Sequence, residues 1–147
     1  MTMSDMISEL DFFTSAIQAG AILAGFCGTF LAFRIQREAE FYRTPEKSYK
    51  QQWFSIAFIL IIFGTLVSVI FGVVFPLLKL ANICPSISPS VVVGGFFAAI
   101  ILIAGYFLVE LLHYHLFDRF DREWQREVPV AGITIFLAAV SILWGIF

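Results

Sequence analysis

Four long apolar runs separated by short polar stretches set the pattern of the chain: Phe12–Phe33, Trp53–Leu78, Val91–Leu112 and Val130–Phe147. About 20 predominantly apolar residues are needed to cross a bilayer as a helix, and each run is near or above that length. The pattern predicts an all-α fold: an integral membrane four-helix bundle, up-down, with four transmembrane helices. It forms one four-span domain over residues 1–147. Beyond the second and third runs' inner edges, charged helical patterns continue as overhangs.

Prolines punctuate the runs. Pro45 follows Thr44, Pro89 follows Ser88 and Pro129 follows Val128. Proline suits the first helical position, where no N–H is needed, and Ser or Thr just before it caps the helix. Helix two is therefore expected to start near Pro45, helix three near Pro89 and helix four near Pro129. Helix one is expected to run on toward Tyr42, and helix three through residues 113–127. Pro76 is expected to kink or end helix two, and Pro85 to stiffen the loop before helix three.

The first run differs from the others in what it carries. Ala16, Gly20, Ala24, Gly28 and Ala32 recur every fourth residue, a stripe of small side chains that reads as a helix-packing face. Lipid gives no hydrophobic drive for helix association, so close backbone approach at small residues has to supply it. The same run holds Thr14, Ser15, Gln18 and Thr29. In hydrocarbon such groups must hydrogen-bond protein or line water. Gln18 lies about 160° around the helix from Ala16, so one face can meet a helix while another meets water. Span one is expected to be the central helix of a bundle or the lining of an assembly.

Charge sets orientation. The first inter-helix segment contains Arg34, Arg37, Arg43, Lys47 and Lys50, and the third contains Arg119, Arg122 and Arg126; the second has Lys79 alone. Eight of the nine cations thus fall on one side. The positive-inside rule puts that side in the cytoplasm and both termini outside, in a membrane of the bacterial plasma (inner) type. The N-terminal stretch has Asp5, Glu9 and Asp11 and no cation, unlike a signal peptide, so the first span is expected to be retained. Glu9 and Asp11 then stand at the outer mouth of span one, where a ring of acids would concentrate cations.

The overhangs mix both signs. Asp118–Arg122 and Arg119–Glu123 are spaced for i,i+4 ion pairs. His113, Phe117, Phe120, Trp124 and Val128 form one helical stripe, expected either to lie at the lipid interface or, the favoured reading, to pack on Phe41, Tyr42, Tyr49 and Trp53. With 60% hydrophobic and 14% charged residues and a net charge of −2, the chain offers nothing to nucleic acid.

Candidate chemistry is sparse. Glu110 is the acid inside an apolar run, two residues from its cytoplasmic end. An intramembrane acid must face protein or water, and here it can pair with a first-loop arginine. Glu110 and His113 form Glu-x-x-His, a motif that carboxylate metal bundles use twice together with two further acids. Those partners are missing, so no metal and no cofactor is expected. Cys27 and Cys84 are too far apart in sequence for a CxxC pair; Cys27 reads as a small packing residue. Gly94 and Gly95 read as packing glycines. Size, four spans and a basic first loop are similar in outline to the membrane-associated eicosanoid and glutathione transferases. Their second span carries polar and acidic residues, whereas the run WFSIAFILIIFGTLVSVIFGVVFPLL has no acid and no Asn. The chain is therefore not assigned to that family.

The sequence points to a small oligomeric integral membrane protein whose first span lines a cation-conducting channel or pore. One alternative is a non-catalytic membrane subunit docking a larger complex through its cytoplasmic helices. The other is a membrane enzyme acting on a lipophilic substrate. Expected partners are the lipid bilayer, further copies of the chain and a protein at the cytoplasmic helices. Orientation can be tested directly. Thr2→Cys and Phe147→Cys should react with an impermeant thiol reagent added to intact cells, and Lys47→Cys should not; the reverse pattern would overturn the charge-based topology.

Overall fold

A computed structural model describes residues 3–42, 56–113 and 124–147 of the chain. The described residues form four helices and no strand. These are α1 (Met3–Tyr42), α2 (Ile56–Leu80), α3 (Pro89–His113) and α4 (Trp124–Ile146). Each contains a segment long and apolar enough to cross a membrane: Ile7–Gln36, Ile56–Leu80, Pro89–Leu112 and Glu127–Ile146. The four apolar helices point to a membrane protein. The expected start at Pro45 and the aromatic stripe between residues 113 and 124 lie outside the described residues.

Local chemistry explains most of the helix ends. α3 begins at Pro89, and the Val91 N–H donates to the Ser88 hydroxyl at 3.4 Å, the capping bond expected of a serine before the first turn. α2 ends in a left-handed residue, Asn82 at φ 56°. The Ile83 N–H bonds the Leu78 carbonyl and the Asn82 N–H bonds the Lys79 carbonyl, both at 3.0 Å. This closes the last turn with the two bonds of a Schellman motif.

One proline expectation is corrected, and of the two for Pro76, a kink or an end, the end is ruled out. α4 does not start at Pro129: it already runs from Trp124, with Pro129 inside it. So near a helix start the missing N–H leaves a single carbonyl without its helical bond, which the rest of the helix tolerates. Pro76 does not end α2. The helix widens to a π-turn over Ile70–Val74 and resumes as an α-helix over Phe75–Leu80. The Phe75 N–H bonds the Ile70 carbonyl, five residues back. The extra residue in that turn shifts the hydrogen-bond ladder and makes room for a residue that has no N–H to give.

The helices pack in chain order, α1 on α2, α2 on α3 and α3 on α4. α3 holds the centre: half of its most apolar window is buried, against 11% for α1. The expectation that span one is the central helix is thereby corrected. α3 can be central because it offers small residues on two sides. Toward α2, Gly95 lies against the Phe71 ring, and Gly64 of α2 lies against Ile103. Toward α4, Gly105 receives Thr134, and a Cβ on Gly94 would sit 2.6 Å from the Ser141 carbonyl oxygen. The Ser141 hydroxyl donates to the Gly94 carbonyl at 3.1 Å across that contact. Cys27 joins the core with Leu60, Ile61, Ala98 and Leu102.

α1 meets α2 backbone to backbone. A Cβ on Gly20 would lie 2.5 Å from the Gly72 carbonyl carbon, and one on Gly72 would lie 2.7 Å from the Gly20 Cα. Backbone cannot yield as a side-chain end can. Gly20→Ala should therefore destabilise the fold by about 1–3 kcal/mol, the usual range for overpacking. At Gly132 a Cβ meets nothing within 4 Å, so Gly132→Ala should be neutral or stabilise by up to about 1 kcal/mol through helix propensity. Unfolding in mixed detergent micelles would give both signs.

Candidate functional site

The site that sequence singles out is α1, and the structure divides this helix into three faces. Its buried residues are Phe13, Gly20, Cys27 and Arg34, spaced by seven. Seven residues fall about 20° short of two full turns, so such a line stays nearly straight along a helix. A spacing of four drifts by about 40° per step. The small-residue series accordingly winds across the contact. Gly20 is buried, Ala16, Ala24 and Gly28 are half-buried, and Ala32 is exposed. A Cβ on Gly28 would meet nothing within 4 Å.

A second face of α1 is uncovered by the chain's own helices. Thr14, Gln18, Ala21, Gly25, Thr29 and Ala32 lie on it and all are exposed. The two threonines satisfy their own donors: Thr14 bonds the Leu10 carbonyl at 2.8 Å and Thr29 the Gly25 carbonyl at 2.9 Å. Back-bonding one turn down the same helix is a solution that needs neither a neighbouring helix nor water. Gln18 has no hydrogen-bond partner among the described residues. Of this face's residues it is the one whose polar group stays open.

The third face borders an apolar cleft of about 310 Å³ between α1 and α3. Phe12, Ser15 and Ala19 line it from α1, and Val93, Phe96 and Phe97 from α3. Toward the other end of the helices the cleft closes. The rings of Phe30 and Phe107 meet edge to face with centroids 5.3 Å apart. One turn further, Arg34 forms an ion pair with Glu110, their side chains 6% and 13% exposed. The acid inside the third apolar run thus has the first cation beyond span one as its partner. The side chain of His113 lies outside the described residues. Among those described, no three His, Cys, Asp or Glu side chains come together to hold a metal.

The opposite end of α1 is also pinned by charge. Lys79 Nζ lies 3.0 Å from a Glu9 carboxylate oxygen and donates to the Pro85 carbonyl at 2.6 Å. It also sits 5.8 Å from the centroid of the Phe13 ring. The lone cation of the second loop therefore ties α1, the end of α2 and the following loop together. Sequence reading did not single out Lys79 in this role. Its signal was its isolation, a single cation facing the acids of the N-terminal segment. Asp11 is exposed, and Glu9 is half-buried in its ion pair. Cys84 is a free, half-buried thiol.

No protein-family model matches this chain, and comparison with curated proteins and with solved structures finds no match.

The two ion pairs should differ in weight. Glu110→Leu takes a buried carboxylate away from Arg34, and breaking a buried pair from one side costs about 3–5 kcal/mol; detergent unfolding should show a loss of that order. Glu9→Gln breaks a partly exposed pair and should cost about 0–1 kcal/mol. Equal losses in the same assay would contradict this ranking.

Proposed function

We propose that the chain is a small homo-oligomeric integral membrane protein, a bundle with both termini outside a bacterial-type plasma membrane. Several copies of α1 line a cation-conducting path. The observation that carries the reading is the uncovered face of α1. A helix edge made of Thr14, Gln18, Gly25 and Thr29 gains nothing from hydrocarbon. Small and polar residues of this kind are those enriched where membrane helices meet one another. The chain's own helices leave this edge uncovered, so covering it with protein falls to other copies. Gln18 supplies an open amide at mid-helix, and Asp11, exposed on the same helix, supplies an outer charge about two turns away. The reading of the chain as a docking subunit depends on the cytoplasmic segments between the described helices.

Conduction in planar bilayers tests the proposal. Asp11→Asn should lower cation conductance at low ionic strength, and the difference should shrink as salt rises, since screening limits surface charge to about 10 Å at 0.1 M. Gln18→Leu should reduce conduction at every salt concentration by making the narrow segment apolar and prone to dewetting. Currents through Gln18→Leu equal to those of the parent would contradict α1 as the lining.

A further inference from the structure

α1 and α3 fill the space between them on one half of their length and leave it open on the other. Toward Arg34 and Glu110, α1 presents Leu23 and Phe30, both packed against the core, and Phe30 meets the Phe107 ring. Toward Glu9 it presents Ser15, Ala16 and Ala19 to Phe96 and Phe97. Side chains this small do not reach across, and about 310 Å³ stays unfilled. An apolar cavity of about half that volume holds a benzene molecule and stays dry.

Position determines what can fill the cleft. Both walls belong to segments long and apolar enough to cross a membrane, so hydrocarbon is the medium at its open side. A water molecule needs about two to four polar partners, and the lining offers one hydroxyl, that of Ser15. On α3 the wall runs from Val92, which is fully buried, to Ile100. α3 begins at Pro89, so Ile100 lies about 16 Å along the helix at 1.5 Å per residue. That is about half of the roughly 30 Å of a bilayer's hydrocarbon. At the near edge stand groups suited to headgroup depth. These are the Ser88 and Ser90 hydroxyls, 2.9 Å apart, and the Glu9–Lys79 ion pair, three residues before Phe12. The cleft therefore reaches from headgroup level to the middle of the bilayer, the depth that one acyl chain of one leaflet occupies. A spanning helix of a second copy would also have to pass the Phe30–Phe107 contact, where the cleft is closed.

We propose that this cleft binds one acyl chain of a phospholipid, in the leaflet at the Glu9–Lys79 end. The chain lies between Ala16 and Ala19 on α1 and Val92 and Phe96 on α3. It supplies the dispersion contacts that neither helix supplies to the other. Lipid elsewhere meets the molecule differently. Phe136 and Trp144 of α4 are 65% and 68% exposed and stand out into the bilayer, whereas a chain in the cleft has protein on two sides. The site lies on another face of α1 than Gln18 and stands whether or not α1 lines a path.

The experiment uses the full chain with Trp53→Phe, Trp124→Phe and Trp144→Phe, which removes its three tryptophans, and one reporter at a time. Phe97→Trp reports from the cleft wall, and Phe136→Trp from the open face of α4. In detergent micelles each is titrated with phosphatidylcholine brominated on its acyl chains, a quencher that acts on contact. Quenching of the Phe97→Trp reporter should saturate near one lipid per chain. The Phe136→Trp reporter should dim only in proportion to the lipid fraction of the micelle. Ala19→Phe, at an exposed position in the cleft wall, places a ring in the gap and should make the first reporter titrate like the second. Ser15→Leu fills the same gap with a smaller side chain and serves where Ala19→Phe perturbs the fold. Equal curves at the two reporters, or a Phe97→Trp curve that neither filling substitution changes, would overturn the site. So would a cleft reporter shielded from lipid at every ratio, the result expected with a second copy seated there.

Discussion

Close approach of backbones at glycine organises this molecule. Apolar side chains gain little by leaving lipid for another helix, so van der Waals contact and hydrogen bonds across helices have to hold them together. All four helices use glycine to that end. Gly94 of α3 lies against Ser141 and Gly145 of α4, Gly95 of α3 against Phe71, and Gly72 of α2 against Gly20. α3 carries such positions on two sides and is the most buried helix. α1 carries one such backbone crossing, at Gly20.

α1 packs along α2 through Phe13, Gly20 and Cys27 and is tied by charge at both ends. Glu9 with Lys79 and Arg34 with Glu110 stand 25 residues apart, about 37 Å along a helix. That distance exceeds the roughly 30 Å of a bilayer's hydrocarbon, a spacing that lets both pairs stand at the interfaces of the proposed span. Between them the helix is bare on one side and bordered by a cleft on another. The uncovered polar edge supports association with further copies. The proposed path thus originates in the one face of this helix that the chain's own helices leave uncovered.

Much of this fold was legible in the sequence. Run lengths and hydropathy located the four helices. Ser88 before Pro89 marked the start of α3, because a capping hydroxyl and a residue without an N–H solve the same local problem. The pairing of Glu110 with a first-loop arginine followed from the cost of an uncompensated acid in lipid. What could not be read depends on relations between helices. A π-turn differs from a proline kink only in how the ladder re-forms around Pro76, which the neighbouring helix helps decide. The packing line of Phe13, Gly20, Cys27 and Arg34 has a spacing of seven with one small, one aromatic, one thiol and one charged member. Composition alone hides such a line behind the more uniform alanine and glycine series. The centrality of α3 reflects having two packing partners, a property of the assembly of helices and not of any one run.

The claim that copies of α1 meet at the edge holding Gln18 and Gly25 is the most exposed to test. A Cβ at Gly25 meets nothing within 4 Å in the single chain, so a thiol there is free to reach a second copy. Gly25→Cys, in a chain lacking both native cysteines and kept in native membranes, should form a covalent two-chain product on oxidation. Ile133→Cys, exposed on α4, should not. A Gly25→Cys chain that stays monomeric under conditions that cross-link Ile133→Cys would contradict the account.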